Sequence, residues 1–109
     1  MSQKSKGSTM SAVSALKLKK SCVEVSQMLK ALAHPQRLLI MGNLLQGPKS
    51  VSDLVESCEA SQSQISHFLM RMKLEGLVKA ERDGRFVLYS VADNRLVKLM
   101  QVIQTQYCE

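Results

Sequence analysis

Residues 50–85 read SVSDLVESCEASQSQISHFLMRMKLEGLVKAERDGR, and the fold can be predicted from the patterns in this segment. Apolar residues follow a helical spacing at positions 51, 54, 55 and 58, and again at positions 65, 68, 69 and 72. Glu59, Ala60 and Ser61 separate the two patterns; Ser50 or Ser52 can cap the first helix, and Ser61 can cap the second. Helices joined by so short a connection cross steeply, so the stretch predicts a helix-turn-helix.

The second of these helices carries a polar face without carboxylates. Hydroxyl, carboxamide, imidazole and guanidinium groups on such a face suit base edges and phosphates in a DNA major groove. The other interpretation is an ordinary solvated helix face. The candidate DNA contacts on this helix and its cap are Ser61, Gln62, Ser63, Gln64, Ser66, His67 and Arg71.

A β-hairpin is predicted directly after the helix-turn-helix. Residues 78–82 and 86–91 are enriched in β-branched and aromatic residues, and Asp83-Gly84 between them is a strong tight-turn signal. Arg82 and Arg85 flank this predicted turn. A basic hairpin tip can reach the phosphates or minor groove beside a recognition helix, so both arginines are candidate DNA contacts. The alternative is a two-stranded edge made soluble by its charges.

Helical patterns flank this unit on both sides. Residues 12–32 carry a narrow apolar seam that calls for a second helix beside it, from this chain or from another copy. Pro35 ends that run and starts a helix to about Leu45, which is apolar on most sides and is expected to be the buried centre. Asp93 caps a last helix to about Tyr107. The order α-α-α-α-β-β-α predicts a mainly α, winged helix-turn-helix fold.

Composition and length set the outer bounds. The chain has 109 residues, enough for one domain with a single core, and it contains neither a bilayer-length apolar run nor a signal-peptide pattern. We therefore expect a soluble, cytoplasmic protein. Three scattered cysteines do not make a disulfide framework and fit a reducing compartment. We expect residues 1–11 to be a disordered basic arm and residues 12–109 to form the DNA-binding and dimerisation domain.

The net charge of +6 is unevenly distributed. Residues 1–20 hold five lysines and no acidic residue, whereas the remaining 89 residues are close to neutral. Global charge is therefore weak support for nucleic acid binding. The local pattern is better support, because the second helix and hairpin are rich in Lys and Arg, whereas the preceding helix carries Asp53, Glu56 and Glu59.

Four motifs at matching spacings resemble the ArsR/SmtB family of repressors over roughly residues 22–108. They are LKALAHPQRLLI at 29–40 with Leu44-Leu45, SQSQIS at 61–66 running on to Leu69, GLV at 76–78, and RDGRFVLY at 82–89. The resemblance implies a homodimer that pairs its first and last helices, binds operator DNA and represses transcription until an inducer binds. One departure is that Phe68 stands where the family usually has its recognition-helix histidine, and His67 precedes it.

The sensing sites of that family can be compared residue by residue. Ser50 and Ser52 stand at the positions of its Cys-x-Cys metal site. In its last-helix metal site Asp93 is present, but Arg95 replaces a histidine. We therefore expect no metal site and no cofactor. The thiol-sensing branch, with HlyU- and BigR-type regulators, is the most similar; it uses a cysteine in the second helix and one near the chain end.

Half of that thiol pair is present in this chain. Cys108 matches the second cysteine, but Gly42 takes the place of the first. Cys22 lies on the seam of the first helix, which the resemblance packs against the last helix. Cys22 and Cys108 are therefore candidate thiol sensors, through a disulfide, a polysulfide bridge or a soft metal. The alternative is that Cys22, like Cys58, is a small buried hydrophobic residue.

Three classes of function follow from these observations. The leading one is a sequence-specific, homodimeric transcriptional repressor released by a thiol-reactive or other inducer. The second is a winged-helix module for protein binding, without an operator. The third is a thiol enzyme using Cys58 or Cys108 with His67, which we disfavour because no nucleophile–base–orienter set is readable. Salt dependence of DNA retention distinguishes the first class from the others.

Overall fold

The computed structural model describes residues 11–108, which form five helices and one β-hairpin. Residues 1–10 of the predicted arm at residues 1–11, and the C-terminal Glu109, lie outside the described residues. No helix within residues 11–108 is long and apolar enough to cross a membrane. The elements are α1 (Ala12–Leu32), α2 (Pro35–Leu44), α3 (Val51–Cys58), α4 (Gln62–Leu74), β1 (Val78–Asp83), β2 (Phe86–Val91) and α5 (Asn94–Tyr107).

Most of α1 forms a unit of its own, separate from the body at residues 31–108. The predicted seam of α1 is present, and its apolar side chains are open to solvent in the single chain. Leu18 is 50% exposed, Val25 is 42% exposed and Leu29 is 49% exposed. A helix that exposes a continuous apolar row leaves a surface for another helix to cover.

The core of the body is formed by one face of each of its helices and by the residues at the start of the hairpin. Its buried side chains are Leu32, Ile40, Met41, Leu44, Leu54, Cys58, Ile65, Leu69, Met72, Leu77, Val78, Leu96 and Met100. The prediction that α2 is buried on most sides is wrong for one face, because Leu38 and Leu39 are 37% and 44% exposed. That face lines a cleft towards α5 and is not packed into the core.

Side-chain caps start both helices of the helix-turn-helix. Ser50 caps α3 and Ser61 caps α4, each in a reciprocal capping box with the residue three positions later. Hydrogen bonds from the backbone and hydroxyl of Ser50, with the charge of Lys49, hold the pKa of Asp53 below its usual value. Between the helices, Glu59 takes the left-handed conformation at φ +52°. This residue ends α3 sharply and turns the chain towards α4.

The hairpin confirms the predicted strands and corrects the predicted turn. Asp83 pairs with Phe86, so Asp83 is the last residue of β1 and the two-residue loop is Gly84-Arg85. Gly84 has φ +64°, and Arg85 has no positive φ. A loop with glycine first and an ordinary residue second fits a type II′ turn. The predicted turn at Asp83-Gly84 therefore lies one register position too early.

A short third pairing ties the hairpin to the helices. The backbone N–H of Lys49 donates to the Tyr89 carbonyl at 2.9 Å, and the N–H of Tyr89 donates to the Lys49 carbonyl at 2.7 Å. At the other end, Leu77 N–H donates to the Met72 carbonyl at 2.9 Å. The hairpin is thereby fixed both to the segment before α3 and to the end of α4.

Candidate nucleic-acid interface

Helix α4 has one buried face and one fully exposed face. Ile65, Leu69 and Met72 are each 0% exposed and anchor the helix in the core. On the roughly opposite side, four exposed residues recur at intervals of four, three and four, which places them along one line of the helix. We call this line the outward stripe; it consists of Ser63, His67, Met70 and Leu74.

Polar side chains border the outward stripe on both edges. Gln62, Ser66 and Lys73 lie on one edge by helical rotation, and Gln64 and Arg71 lie on the other. All five are exposed, and no carboxylate occurs in α4. Each edge therefore ends in a cation in the second half of the helix, an arrangement that matches the two phosphate strands bordering a DNA groove.

Two of the predicted contact residues take part in the helix cap. The Ser61 hydroxyl accepts from the backbone N–H of Gln64 at 3.2 Å, and Gln64 Oε1 accepts from the Ser61 N–H at 3.1 Å. The same Oε1 also accepts from the Ser61 hydroxyl at 3.2 Å. Gln64 therefore has its carboxamide oxygen engaged, whereas Gln62 is exposed at the first turn of the helix.

The position where the family usually has its histidine is used for packing. The Phe68 ring centroid lies 5.0 Å from that of His34, at the entry to α2. His34 is itself fixed there, because its Nδ1 accepts from the backbone N–H of Gln36 at 3.2 Å. His67 lies on the outward stripe with its ring edge-on to Phe68, at 6.2 Å between centroids. The imidazole that α4 presents on its exposed side is therefore that of His67.

The arginines at the end of α4 and on the hairpin differ in whether an acidic side chain lies close to them. Arg71 is 53% exposed and lies 3.7 Å from a carboxylate oxygen of Glu75, a loose pair four residues along the helix. On the hairpin, Arg82 faces the same side as its pairing partner Val87, and Arg85 occupies the loop. Both hairpin arginines are exposed. The three cations are thus placed at the end of α4 and at the tip of the hairpin.

The cysteines fall into two environments. Cys22 and Cys108 are exposed, and neither is in a disulfide. Cys58 is buried, and desolvation raises the pKa of its thiol, the opposite of what a nucleophile requires. Asn43 Nδ2 lies 3.6 Å from Cys58 Sγ. Within residues 11–108, no three His, Cys, Asp or Glu side chains are grouped to hold a metal ion.

Cys108 lines a cleft between α2 and α5 with a volume of about 430 Å³. Gly42 lines the same cleft, and a β-carbon added at Gly42 would meet only Gln104 Nε2, at 3.7 Å. Gly42 and Cys108, which the family resemblance aligns with a thiol pair, therefore line one cleft. Cys22 belongs to the separate α1 unit.

Sequence reasoning missed two features of this interface. It assigned no role to Met70, which is 56% exposed on the outward stripe. Continuing the Ser63–His67 spacing by three residues would have found it. It also treated Gln64 as a free side chain, although the Ser61-to-Gln64 spacing is that of a capping box.

The element order, the crossed α3–α4 pair and the hairpin define a winged helix-turn-helix protein. The sequence model described as "Bacterial regulatory protein, arsR family" matches residues 34–80. HTH-type transcriptional regulator NmtR of Mycobacterium tuberculosis is 39% identical over 80 residues, covering 73% of this chain and 67% of that protein. HTH-type transcriptional regulator YgaV of Escherichia coli is 34% identical over 92 residues, covering 84% and 93%. The chain belongs to the ArsR family of bacterial regulatory proteins.

Solved structures agree with this assignment. HlyU from Vibrio cholerae superposes with a TM-score of 0.78 at 29% identity, covering 83% of this chain and 98% of that one. The homodimeric winged helix-turn-helix DNA-binding domain of Mb0332 from Mycobacterium bovis gives a TM-score of 0.69 at 28% identity, covering 90% and 87%. These structures confirm the predicted resemblance to the ArsR family, including its HlyU-type regulators.

Proposed function

We propose that this protein is a homodimeric transcriptional repressor that binds operator DNA through α4 and the hairpin. The observation that carries the proposal is the exposed face of α4, which is free of carboxylates and has a cation on each edge. In a helix-turn-helix the second helix lies in the major groove, with its N-terminal residues at base edges. Gln62, Ser63, Ser66 and His67 occupy that part of α4.

The hairpin tip supplies contacts of a different kind. Arg82 and Arg85 project from an element fixed to the end of α4 through Leu77, so their position follows that of the recognition helix. Guanidinium groups bind phosphate in a bidentate manner, which adds affinity without reading sequence. We assign base reading to α4 and phosphate contact to the hairpin.

The dimer contact is proposed on α1 and α5. The apolar seam of α1 is exposed in the single chain, and on α5 Val102 is 57% exposed and Tyr107 is 85% exposed. The structural relative Mb0332 is described as homodimeric. A two-fold dimer presents two α4 helices to half-sites one helical turn apart, about 34 Å.

Sedimentation of paired variants tests this dimer. Val25→Glu places a charge on the α1 seam and is expected to give a monomer at concentrations where the wild type is dimeric. Lys20→Glu is the matched control, because Lys20 lies on the opposite side of α1 by helical rotation. A dimer that survives Val25→Glu contradicts the use of this seam.

Release from DNA is proposed to follow modification of thiols in the cytoplasm, where cysteines remain reduced between signals. Cys108 is exposed and so accessible to such a signal, whereas Cys22 is exposed in the single chain and lies on the α1 seam proposed for the dimer contact. A thiol enzyme is disfavoured by the buried, raised-pKa thiol of Cys58. We therefore assign the protein a regulatory and not a catalytic function.

The decisive experiment is selection of binding sites from a randomised duplex pool, followed by a salt series on the selected duplex. We expect the selected site to be two-fold symmetric. We also expect the logarithm of the binding constant to fall linearly with the logarithm of the salt concentration, with a slope that reflects several phosphate contacts. Enrichment of no sequence, with no salt-dependent retention, would overturn the proposal in favour of a protein-binding winged helix.

A further inference from the structure

Two positions of the outward stripe on α4 are large and apolar. Met70 is 56% exposed and Leu74 is 79% exposed, whereas the polar residues Ser63 and His67 occupy the N-terminal half of the same line. The buried face of α4 is already complete without Met70, since Ile65, Leu69 and Met72 are each 0% exposed. The core therefore makes no use of this thioether side chain.

The position of Met70 along the helix fixes what it can reach. An α-helix rises 1.5 Å per residue, so Met70 lies about 10 Å beyond Ser63 along the axis. Successive base pairs are about 3.4 Å apart, so this separation spans about three base pairs. Met70 is the ninth residue of α4 and lies in its third turn, about three base pairs from Ser63, whereas Leu74 is about 16 Å from Ser63, at the helix end.

A cation lies on each side of Met70 on the surface of α4. Arg71 and Lys73 lie on opposite edges of the outward stripe, and their charges attract the phosphates of the two strands. With α4 in the major groove and both edges anchored in this way, the side chain between them would face the base edges. The apolar group that bases present in the major groove is the C5-methyl of thymine.

We propose that Met70 contacts the C5-methyl group of a thymine in the operator and is a specificity-determining residue of α4. This inference rests on the proposed function, because it requires α4 to lie in the major groove. Methionine suits the task, since its unbranched, flexible side chain adapts to the position of a methyl group. The contact adds an apolar element to a face whose other readers form hydrogen bonds.

The test removes one methyl group from the DNA at a time. In the selected duplex each thymine is replaced by deoxyuridine, which retains every hydrogen-bonding group and lacks the methyl. For the wild type we expect one thymine per half-site at which this replacement weakens binding about fourfold. Met70→Ala should bind the thymine duplex more weakly by a similar factor and become insensitive to deoxyuridine at that position alone.

Two further variants exclude trivial explanations. Met70→Leu retains an apolar side chain and should retain most of the deoxyuridine effect. Leu74→Ala removes an exposed apolar side chain from the same stripe and should leave the pattern unchanged. The melting temperatures of all three variants should match the wild type, because both side chains are exposed.

The possible outcomes distinguish failure of the Met70–thymine contact from failure of the proposed DNA-binding function. A wild-type protein that selects no DNA sequence overturns both. A wild-type protein that binds its site specifically overturns the inference alone if no deoxyuridine replacement weakens it, or if Met70→Ala keeps the sensitivity. A Met70→Ala loss that is equal on specific and scrambled DNA also overturns it, because that result describes a general surface contact.

Discussion

The guanidinium of Arg37 in α2 lies 2.7 Å from Oε1 of Glu75, at the C-terminal end of α4. The same nitrogen of Arg37 donates to the Ala31 carbonyl at 2.7 Å. The side chain of Arg37 is only 12% exposed, so its charge depends on this partner more than a surface charge would. The pair ties the end of the proposed recognition helix to the start of the second helix.

Replacing Glu75 by Gln should destabilise the fold in a pH-dependent way. The hydrogen bond from Arg37 holds the pKa of Glu75 below its usual value, so the stabilisation is complete above the pKa of an unfolded glutamate, about 4.3. It is lost as pH falls through the lower pKa of the folded state. At pH 7 we expect a loss of about 1 kcal/mol in the free energy of unfolding, measured in urea. At an acid pH below the folded-state pKa of Glu75, wild type and variant should converge.

The control for this measurement is Glu81→Gln, on the exposed surface of β1. It removes the same charge from the chain without breaking the contact to Arg37, so its stability should stay near that of the wild type at both pH values. An equal loss in the two variants would show that net charge, and not the Arg37–Glu75 pair, is responsible.

Gln62 and Gln64 should respond differently to alanine. Gln62→Ala should relax the sequence preference by about 1–3 kcal/mol, the discrimination of a good bidentate contact to adenine, without lowering the melting temperature. Gln64→Ala should lower the melting temperature as well, because its Oε1 accepts from the Ser61 N–H. Binding to specific and scrambled duplexes, with thermal unfolding, measures both. Equal losses on the two duplexes for Gln62→Ala would mean that this residue does not read bases.

Removing both hairpin arginines should weaken binding to every sequence alike. The double variant Arg82→Ala/Arg85→Ala is expected to reduce the salt slope by about two, one unit for each lost phosphate contact. Lys98→Ala on α5 is the control; it removes an exposed cation far along the chain and should keep the wild-type slope. If the double variant retains the affinity and slope of the wild type, the hairpin does not touch DNA.

The cysteines should differ in reactivity and in effect. Cys108 is exposed, so a thiol reagent should label it in the native protein, whereas buried Cys58 should react only after unfolding. Cys22 is exposed in the single chain but lies on the α1 seam, so it should be labelled more readily in the Val25→Glu monomer than in the proposed dimer. If the two exposed thiols form the sensor, oxidant or persulfide treatment weakens DNA binding, and either Cys22→Ser or Cys108→Ser removes that response. Cys58→Ala serves as the control that should keep it. Unchanged DNA affinity of the treated wild type would end the thiol-switch hypothesis.

Local rules were sufficient for the elements and for their order. The start of α4 follows from the Ser61 cap, which acts within three residues, and the helix itself follows from the spacing of Ile65, Leu69 and Met72. For α3 the sequence left Ser50 and Ser52 as alternatives, and the structure has Ser50. The hairpin strands follow from composition and from Gly84. Interactions of this range are complete in the sequence, because the groups that form them are neighbours along the chain.

Long-range packing decided what these local rules left open. Cross-strand register moved the turn to Gly84-Arg85, because the pairing of Asp83 with Phe86 fixes which residues lie outside the ladder. Packing into the core chose which apolar residues of α2 are buried, since a sequence that is apolar on most sides does not say which side is covered. The Arg37–Glu75 pair joins residues far apart in sequence, so only the folded chain brings its charges together.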